Sequence, residues 1–201
     1  MSLFIETIKI ENGEYRLLGY HNRRLNETVS SFFETVPEID LRTFLPAVSP
    51  TGGYRSGIYK CRVIYGKKIE SVDIAPYKKR EIKSLKIING DNIDYSFKKA
   101  DRALFTDILK RLGKDEDILI VKKGFITDTS FSNVIFFDGR DWITPSSYLL
   151  NGVKRRFLLD GKKIKEAQIR ANDLGGFEKI SLINAMLEPG ETSLDISGLF
   201  F

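Results

Sequence analysis

The sequence predicts an α+β chain of two subdomains, and three observations carry that prediction. Up to Ala75 the pattern runs strand–strand–helix–strand–strand, an antiparallel layer with one helix. A break follows at Pro76-Tyr77-Lys78-Lys79-Arg80, where proline ends a strand and charge takes over. Beyond the break, helices and short strands mix differently, without an internal repeat, and tend toward a small barrel. The expected division is a small N-terminal domain over residues 1–78, a connecting segment over 79–94 and a C-terminal domain over 95–201.

Each element has its own signal. Leu3 to Ile10 alternates polar and apolar residues, Asn12-Gly13 is a hairpin turn, and Glu14 to Leu18 returns. Leu25, Val29, Phe32 and Phe33 recur at helical spacing and predict a helix from His21 to Phe33, with a second short one over Leu41 to Leu45. Ser49-Pro50-Thr51-Gly52-Gly53 is a loop by composition. Tyr54 to Tyr65 and Ile69 to Ala75 form a second hairpin. After the break come a helix over Asp101 to Leu112, strands over Asp117 to Val121, Phe125 to Thr127 and Val134 to Phe137, and a short strand to Thr144. A helix from Val153 and strands over Ile164 to Ile169 and Lys179 to Ile183 close the pattern.

Composition bounds the function. The 201 residues carry 32 Lys and Arg against 27 Asp and Glu, a net charge of +5, with 42% hydrophobic residues, which is ordinary globular make-up. Apolar runs such as Ile118 to Val121 stop far short of the ~20 residues a membrane span needs. The N-terminus lacks a signal-peptide pattern, and a cytoplasmic location is expected. One cysteine, Cys61, and one histidine, His21, exclude an intrachain disulfide and most metal sites, so no metal is expected. Basic pairs such as Lys67-Lys68 and Lys162-Lys163 are scattered among acids, which reads as a solvated surface and not a nucleic-acid track. A local basic site for a small anionic substrate stays open.

Nucleotide-binding glycine loops and a nucleophilic triad are absent, and four clusters remain. Lys98 lies where an extended piece meets a helix, with Arg102 four residues on; alternation there sends Lys98 and Lys99 to opposite faces. A lysine turned inward beside another cation is an amine nucleophile, whereas one turned outward merely charges a helix start. Between Gly124 and Asn133 small and polar residues interrupt two apolar strands; Asp128 and Asn133 anchor either a polar pocket or a hydrogen-bonded loop. Gly152 precedes a helix whose backbone N–H groups suit a phosphate, as many helix starts do. His21-Asn-Arg-Arg-Leu25 either brings a guanidinium to the same place or decorates a helix.

Taken in order, these clusters resemble the class IV, fold-type IV pyridoxal-phosphate enzymes: branched-chain and D-amino-acid aminotransferases and 4-amino-4-deoxychorismate lyase. Phe4 to Ile10 with Asn12-Gly13 is similar to the family's Phe-Glu-Thr-Ile-Arg strand and turn. His21 to Leu25 resembles its His-x-x-Arg-Leu segment, which implies that Arg24 holds the cofactor phosphate. Lys98 with Arg102 matches the segment whose lysine bonds to the cofactor, and Thr127-Asp128 with Asn133 matches Thr-Glu-x-x-x-x-Asn, whose acid pairs with the pyridine nitrogen. Asp128 is one methylene shorter than the family's glutamate. Gly152-Val153-Lys154-Arg155 resembles the phosphate turn, and Asn184-Ala185 a late segment that also approaches the phosphate.

The resemblance implies a D-amino-acid-aminotransferase-like fold, pyridoxal 5'-phosphate as cofactor and a homodimer. Branched-chain aminotransferases carry Glu-Gly where this chain has Glu6-Thr7, whereas the deoxychorismate lyases carry threonine, so Thr7 is expected to act on the substrate. Arg62, Tyr77 and Arg80 are candidates for binding its carboxylates. The implied function is conversion of 4-amino-4-deoxychorismate to 4-aminobenzoate and pyruvate in folate synthesis. The alternatives are an amino-acid aminotransferase and a non-catalytic relative with a binding or assembly role.

Overall fold

In the computed structural model, residues 2–200 are described, and alternation builds the first sheet as the sequence predicts. Phe4–Glu11 (β1) buries Phe4, Ile8 and Ile10, and turns at Asn12 and Gly13. Both turn residues have positive φ, 55° and 71°, the backbone of a two-residue hairpin that matches strand twist. The Cβ position of Gly13 is already taken by the Ser49 and Pro50 backbone. The returning strand, Glu14–Tyr15 (β2), is shorter than expected, and the helix Leu18–Phe33 (α1) starts earlier than His21. Leu17 explains both: at φ 55° it breaks the extended chain and swings it into the helix.

Two asparagines on α1 fix the chain that follows. Asn22 Oδ1 accepts from Leu41 N–H at 2.8 Å, and Asn26 Nδ2 donates to Ile39 O at 2.9 Å. The helix expected at Leu41 is one 3-10 turn, Leu41–Thr43, capped by Asp40. Ile58–Tyr65 (β3) begins four residues later than predicted, because Tyr54 and Gly57 hold positive φ. With Ile69–Pro76 (β4) it completes an antiparallel sheet ordered β2-β1-β3-β4. Its helix-side core joins Phe4, Ile8, Leu25, Val29, Cys61, Val63 and Tyr65. Burial, with the Asp73 charge, pushes the Cys61 thiol up to about 11.

This first unit covers Met1–Lys79 together with Phe97–Asp101. The distant segment is tied to the edge of β1: Lys99 pairs with Phe4, Ile5 N–H donates to Lys98 O at 3.0 Å, and Ala100 N–H donates to Leu3 O at 2.8 Å. Phe97 seals the join, its ring 5.9 Å from Phe4 and 5.6 Å from Phe32.

The second unit covers Arg80–Ser96 and Arg102–Phe201. Its elements are Ser84–Asn89 (β5), Ala103–Leu109 (α2), Glu116–Lys122 (β6), Phe125–Thr129 (β7), Asn133–Phe137 (β8), Trp142–Pro145 (β9), Val153–Asp160 (α3), Lys165–Ala167 (β10), Lys179–Ile183 (β11), Ser193–Asp195 (β12) and Leu199–Phe200 (β13). The sequence places a connector where β5 runs; Leu85 and Ile87 are its only buried residues, too brief an alternation to stand out. The start of α2 comes late, since residues 97–101 are committed to the first unit.

The sheet order is β10-β9-β8-β7-β6-β5-β13, with β11 on β8 and β12 on β11. On one side β8 meets β7 only at Asn133 and β9 at Phe136 and Phe137, while β11 runs along its whole length. That branching gives β8 three strand partners, β7, β9 and β11. Leu85, Leu119, Val134, Phe136, Ile180 and Leu182 fill its core, and Trp142 stacks 5.2 Å from Phe137 at the margin. Among the described residues no helix is long and apolar enough to cross a membrane.

Gly13→Ala should destabilise the chain by more than about 1 kcal/mol, from positive φ together with the overlap on Ser49 and Pro50. Denaturant titration checks it; an unmoved midpoint would mean that the 49–50 loop simply yields.

Candidate active site

In β1 the residues that face α1 are Phe4, Glu6, Ile8 and Ile10, so one acid occupies an otherwise apolar phase. Glu6 is fully buried, and its neighbours on α1 explain how it survives there. Arg24 Nε donates to Glu6 Oε1 at 2.8 Å, and Arg24 Nη2 donates to Oε2. His21 Nδ1 lies 2.5 Å from the same Oε2. The i, i+3 spacing of His21 and Arg24 puts both on one helix face. Burial pushes the Glu6 carboxyl up, but the Arg24 charge and the hydrogen bonds outweigh it and hold the pKa at about 2. Burial lowers the His21 pKa further than Glu6 raises it, so the imidazole is neutral and donates from Nδ1. Sequence reading singles out Arg24 but gives no role to Glu6 or His21; the signal was an acid in the apolar phase of an alternating strand.

Thr7 has the opposite parity. It stands directly across from Arg62 on β3, on the face of the sheet away from α1. The structure thus pairs two predicted substrate residues, a half-buried hydroxyl and an exposed guanidinium. Tyr77 follows β4, and its N–H donates to Ile58 O at 2.9 Å. Lys98 is half-buried, but its surroundings differ from the expected extended piece. Lys99 N–H donates to Phe97 O at 2.8 Å, which makes Lys98 the apex of a γ-turn. The backbone at Lys98 thus combines a tight turn with pairing to β1.

In the second unit the carboxylate of Asp128, at 5% exposure, is held from both sides. Oδ2 accepts from Leu149 N–H at 3.1 Å and Leu150 N–H at 2.9 Å. Oδ1 accepts from Asn133 Nδ2 at 2.8 Å, across the one residue pair that joins β7 to β8. Asn133 Nδ2 also donates to Leu150 O at 2.8 Å. Burial raises the Asp128 pKa to about 6 against these hydrogen bonds, and the Arg155 charge opposes it more weakly than they do. Arg102 secures the chain just beyond: Nη2 donates to Ser130 O, and its guanidinium lies 5.0 Å from the Phe105 ring centre.

The remaining predicted residues have visible structural duties. Val153 is 2% exposed and Ala185 9%. Lys154 Nζ pairs with Glu188 at 2.5 Å. Arg155 bonds Glu166 and Pro145 O, and its guanidinium covers the Tyr148 ring at 4.6 Å. Asn184 Oδ1 caps its own turn, accepting from Met186 N–H at 2.8 Å and Leu187 N–H at 3.1 Å. Arg80 is exposed, and its Nη2 donates to Glu116 O at 2.5 Å. Among the described residues no cluster of His, Cys, Asp and Glu could hold a metal.

Two outcomes follow from the buried acids. Arg24→Met should cost about 3–5 kcal/mol, because Glu6 is left charged in the core with only the neutral His21 imidazole to meet it; the Glu6→Gln, Arg24→Met double variant should recover part of that loss in denaturant titration. Additive losses would show that the pair is not coupled. Asp128 binds its proton more tightly folded, at about 6, than at its ordinary 3.8. Its contribution to stability is therefore fully present below pH 3.8 and lost as pH rises through about 6. Thermal midpoints of the cofactor-free chain between pH 4 and 8 should carry that downward component, and Asp128→Asn should lack it.

Comparison with known proteins places the chain in a family. The amino-transferase class IV profile matches residues 3–189. A crystal structure of a putative 4-amino-4-deoxychorismate lyase from Haemophilus somnus 129PT is 33% identical, covers 92% of this chain and 97% of its own, and superposes with a TM-score of 0.84. An uncharacterised Haemophilus influenzae protein is 30% identical over 183 residues, 90% of this chain and 96% of that one. A hypothetical Mycobacterium tuberculosis aminotransferase in its PLP-bound form shares the fold at 20% identity, TM-score 0.75, over 98% of this chain and 81% of its own. With the profile covering nearly every element of both units, the chain belongs to the class IV amino-transferase family.

Proposed function

We propose that this chain is a pyridoxal-phosphate-dependent lyase that converts 4-amino-4-deoxychorismate to 4-aminobenzoate and pyruvate. The observation that carries the choice is the Thr7–Arg62 pair: a hydroxyl and a cation in register on one sheet face suit proton transfer to, and capture of, a substrate bearing carboxylates. The name of the 33%-identical Haemophilus somnus protein supports the same substrate class.

Pyridoxal 5'-phosphate is the cofactor of this family, and Asp128 meets its needs. It is a buried acid surrounded by amide donors whose hydrogen bonds do not offset its burial, so a protonated ring nitrogen is the cation it calls for. Lys98 would hold the cofactor covalently, Arg24 would contact its phosphate, and Gly152, Val153, Lys154, Asn184 and Ala185 would line it. When bound, the cofactor supplies an aldehyde for the substrate amine and a ring that takes up electrons from the neighbouring carbon. Once displaced by the substrate amine, Lys98 Nζ would take the proton from the carbon that bears that amine. Asp128 would hold a proton on the ring nitrogen by pairing with the resulting cation. Thr7 passes a proton at the substrate face, while Arg62, Tyr77 and Arg80 bind carboxylates. The reading places the protein in folate synthesis as a cytoplasmic homodimer.

A second reading, an amino-acid aminotransferase, is favoured by the family and by the Mycobacterium tuberculosis relative's name. Incubation with aminodeoxychorismate separates the two: release of 4-aminobenzoate supports the lyase, and amino-group transfer to a keto acid without it supports the transferase. Lys98→Ala should abolish turnover and the covalent cofactor label left by borohydride reduction, while Lys99→Ala keeps much of both. A label found by mass spectrometry on Lys99 would move the assignment by one residue. Absence of any label or turnover in the wild type would favour a binding or assembly role.

A further inference from the structure

Gly152 stands immediately before α3 at φ −68° and ψ 148°, a backbone conformation that any residue adopts. Conformation therefore gives no reason for glycine. Space does. A Cβ at this position would overlap Asn133 Oδ1 and approach Asn133 Cγ to 3.2 Å. The overlapped atom is not the end of a flexible surface chain: Asn133 is 6% exposed, and its Nδ2 is bonded at 2.8 Å to Asp128 Oδ1 and at 2.8 Å to Leu150 O. The amide cannot swing aside without releasing the carboxylate. Leu149 and Leu150, whose N–H groups hold the other carboxylate oxygen, belong to the same chain segment that leads into Gly152.

We propose that Gly152 and Asn133 form a positioning pair for Asp128, in which the missing side chain at 152 admits the amide that fixes the carboxylate. This rests on reading Asp128 as an active-site acid, and it gives Gly152 a task apart from the phosphate turn that the family resemblance implies. The pair acts through Asp128 and needs no contact of its own with substrate. A methyl group at 152 would press on the amide, and through it on one carboxylate oxygen, while the two N–H groups still held the other. The acid would turn or lose a bond.

A double-mutant cycle on the cofactor-free full chain tests the coupling. Gly152→Ala should lower the folding equilibrium constant about tenfold or more in the wild-type background, and by less than about threefold in an Asn133→Ala background, where the overlap is gone. If Gly152→Ala alone does not fold, recovery of folding in the double variant is the expected result. Equal losses in both backgrounds, or a double variant no better than the single, would overturn the proposal. The second readout is the titration of Asp128, followed by carbon-13 NMR of its carboxyl. Both single variants should bind the Asp128 proton roughly tenfold more tightly, as a hydrogen bond to the carboxylate is lost or bent. An unmoved titration in either would also overturn it. Failure of the functional reading has a separate signature: wild-type turnover by Asp128→Asn, with coupling and titration as expected.

Discussion

A carboxylate removed from water must be met by donors or it will not stay ionised, and much of this chain is arranged around that demand. Glu6 and Asp128 are both strand residues at or near zero exposure, yet they are answered differently. Glu6 receives a guanidinium and an imidazole from one turn of α1, which locks the helix onto the sheet in a single register. Asp128 receives three N–H donors and no nearby ion pair among those described. The first acid is held as a charge. Burial pushes the second up to about 6, and under the proposed function it is the acid that would meet a cation brought by a bound group.

The Glu6–Arg24 pair lies on the helix side of the sheet, while Thr7 and Arg62 lie on the other, although Glu6 and Thr7 are adjacent in sequence. Strand parity alone divides them. In the second unit, strand branching at β8 brings Asn133 to Asp128 and leaves β11 to close the far edge. The acid therefore sits at the single residue pair that joins β7 to β8, and its donors come from the loop after β9 as well as from the neighbouring strand.

Much of this was legible in the sequence. Alternation with Asn-Gly gave the first hairpin, helical spacing gave α1, and the order of short polar clusters gave the family. The errors have local causes. Positive φ at Leu17, Tyr54 and Gly57 moved element boundaries, and nothing in a propensity reading signals a left-handed leucine or tyrosine. The strand β5 was missed because only Leu85 and Ile87 mark its buried face and its partners are far along the chain. The extended piece expected around Lys98 pairs with β1, while the γ-turn between Phe97 and Lys99 is something alternation does not signal. The Asp128–Asn133 bond was half visible: both residues were named, but the reason Gly152 lies beside them was a matter of volume that no spacing reveals.

The distribution of two rare side chains has a practical side. The chain's one cysteine, Cys61, lies in the core of the first unit with its thiol held up at about 11, and its one tryptophan, Trp142, lies in the second against Phe137. A thiol reagent meets a reactive group only when the first unit opens, because neither access nor ionisation is available in the folded state. Indole fluorescence follows the second unit alone. Without any labelling mutation, the protein carries an independent clock for each half, so the order in which the two halves open can be read from one sample.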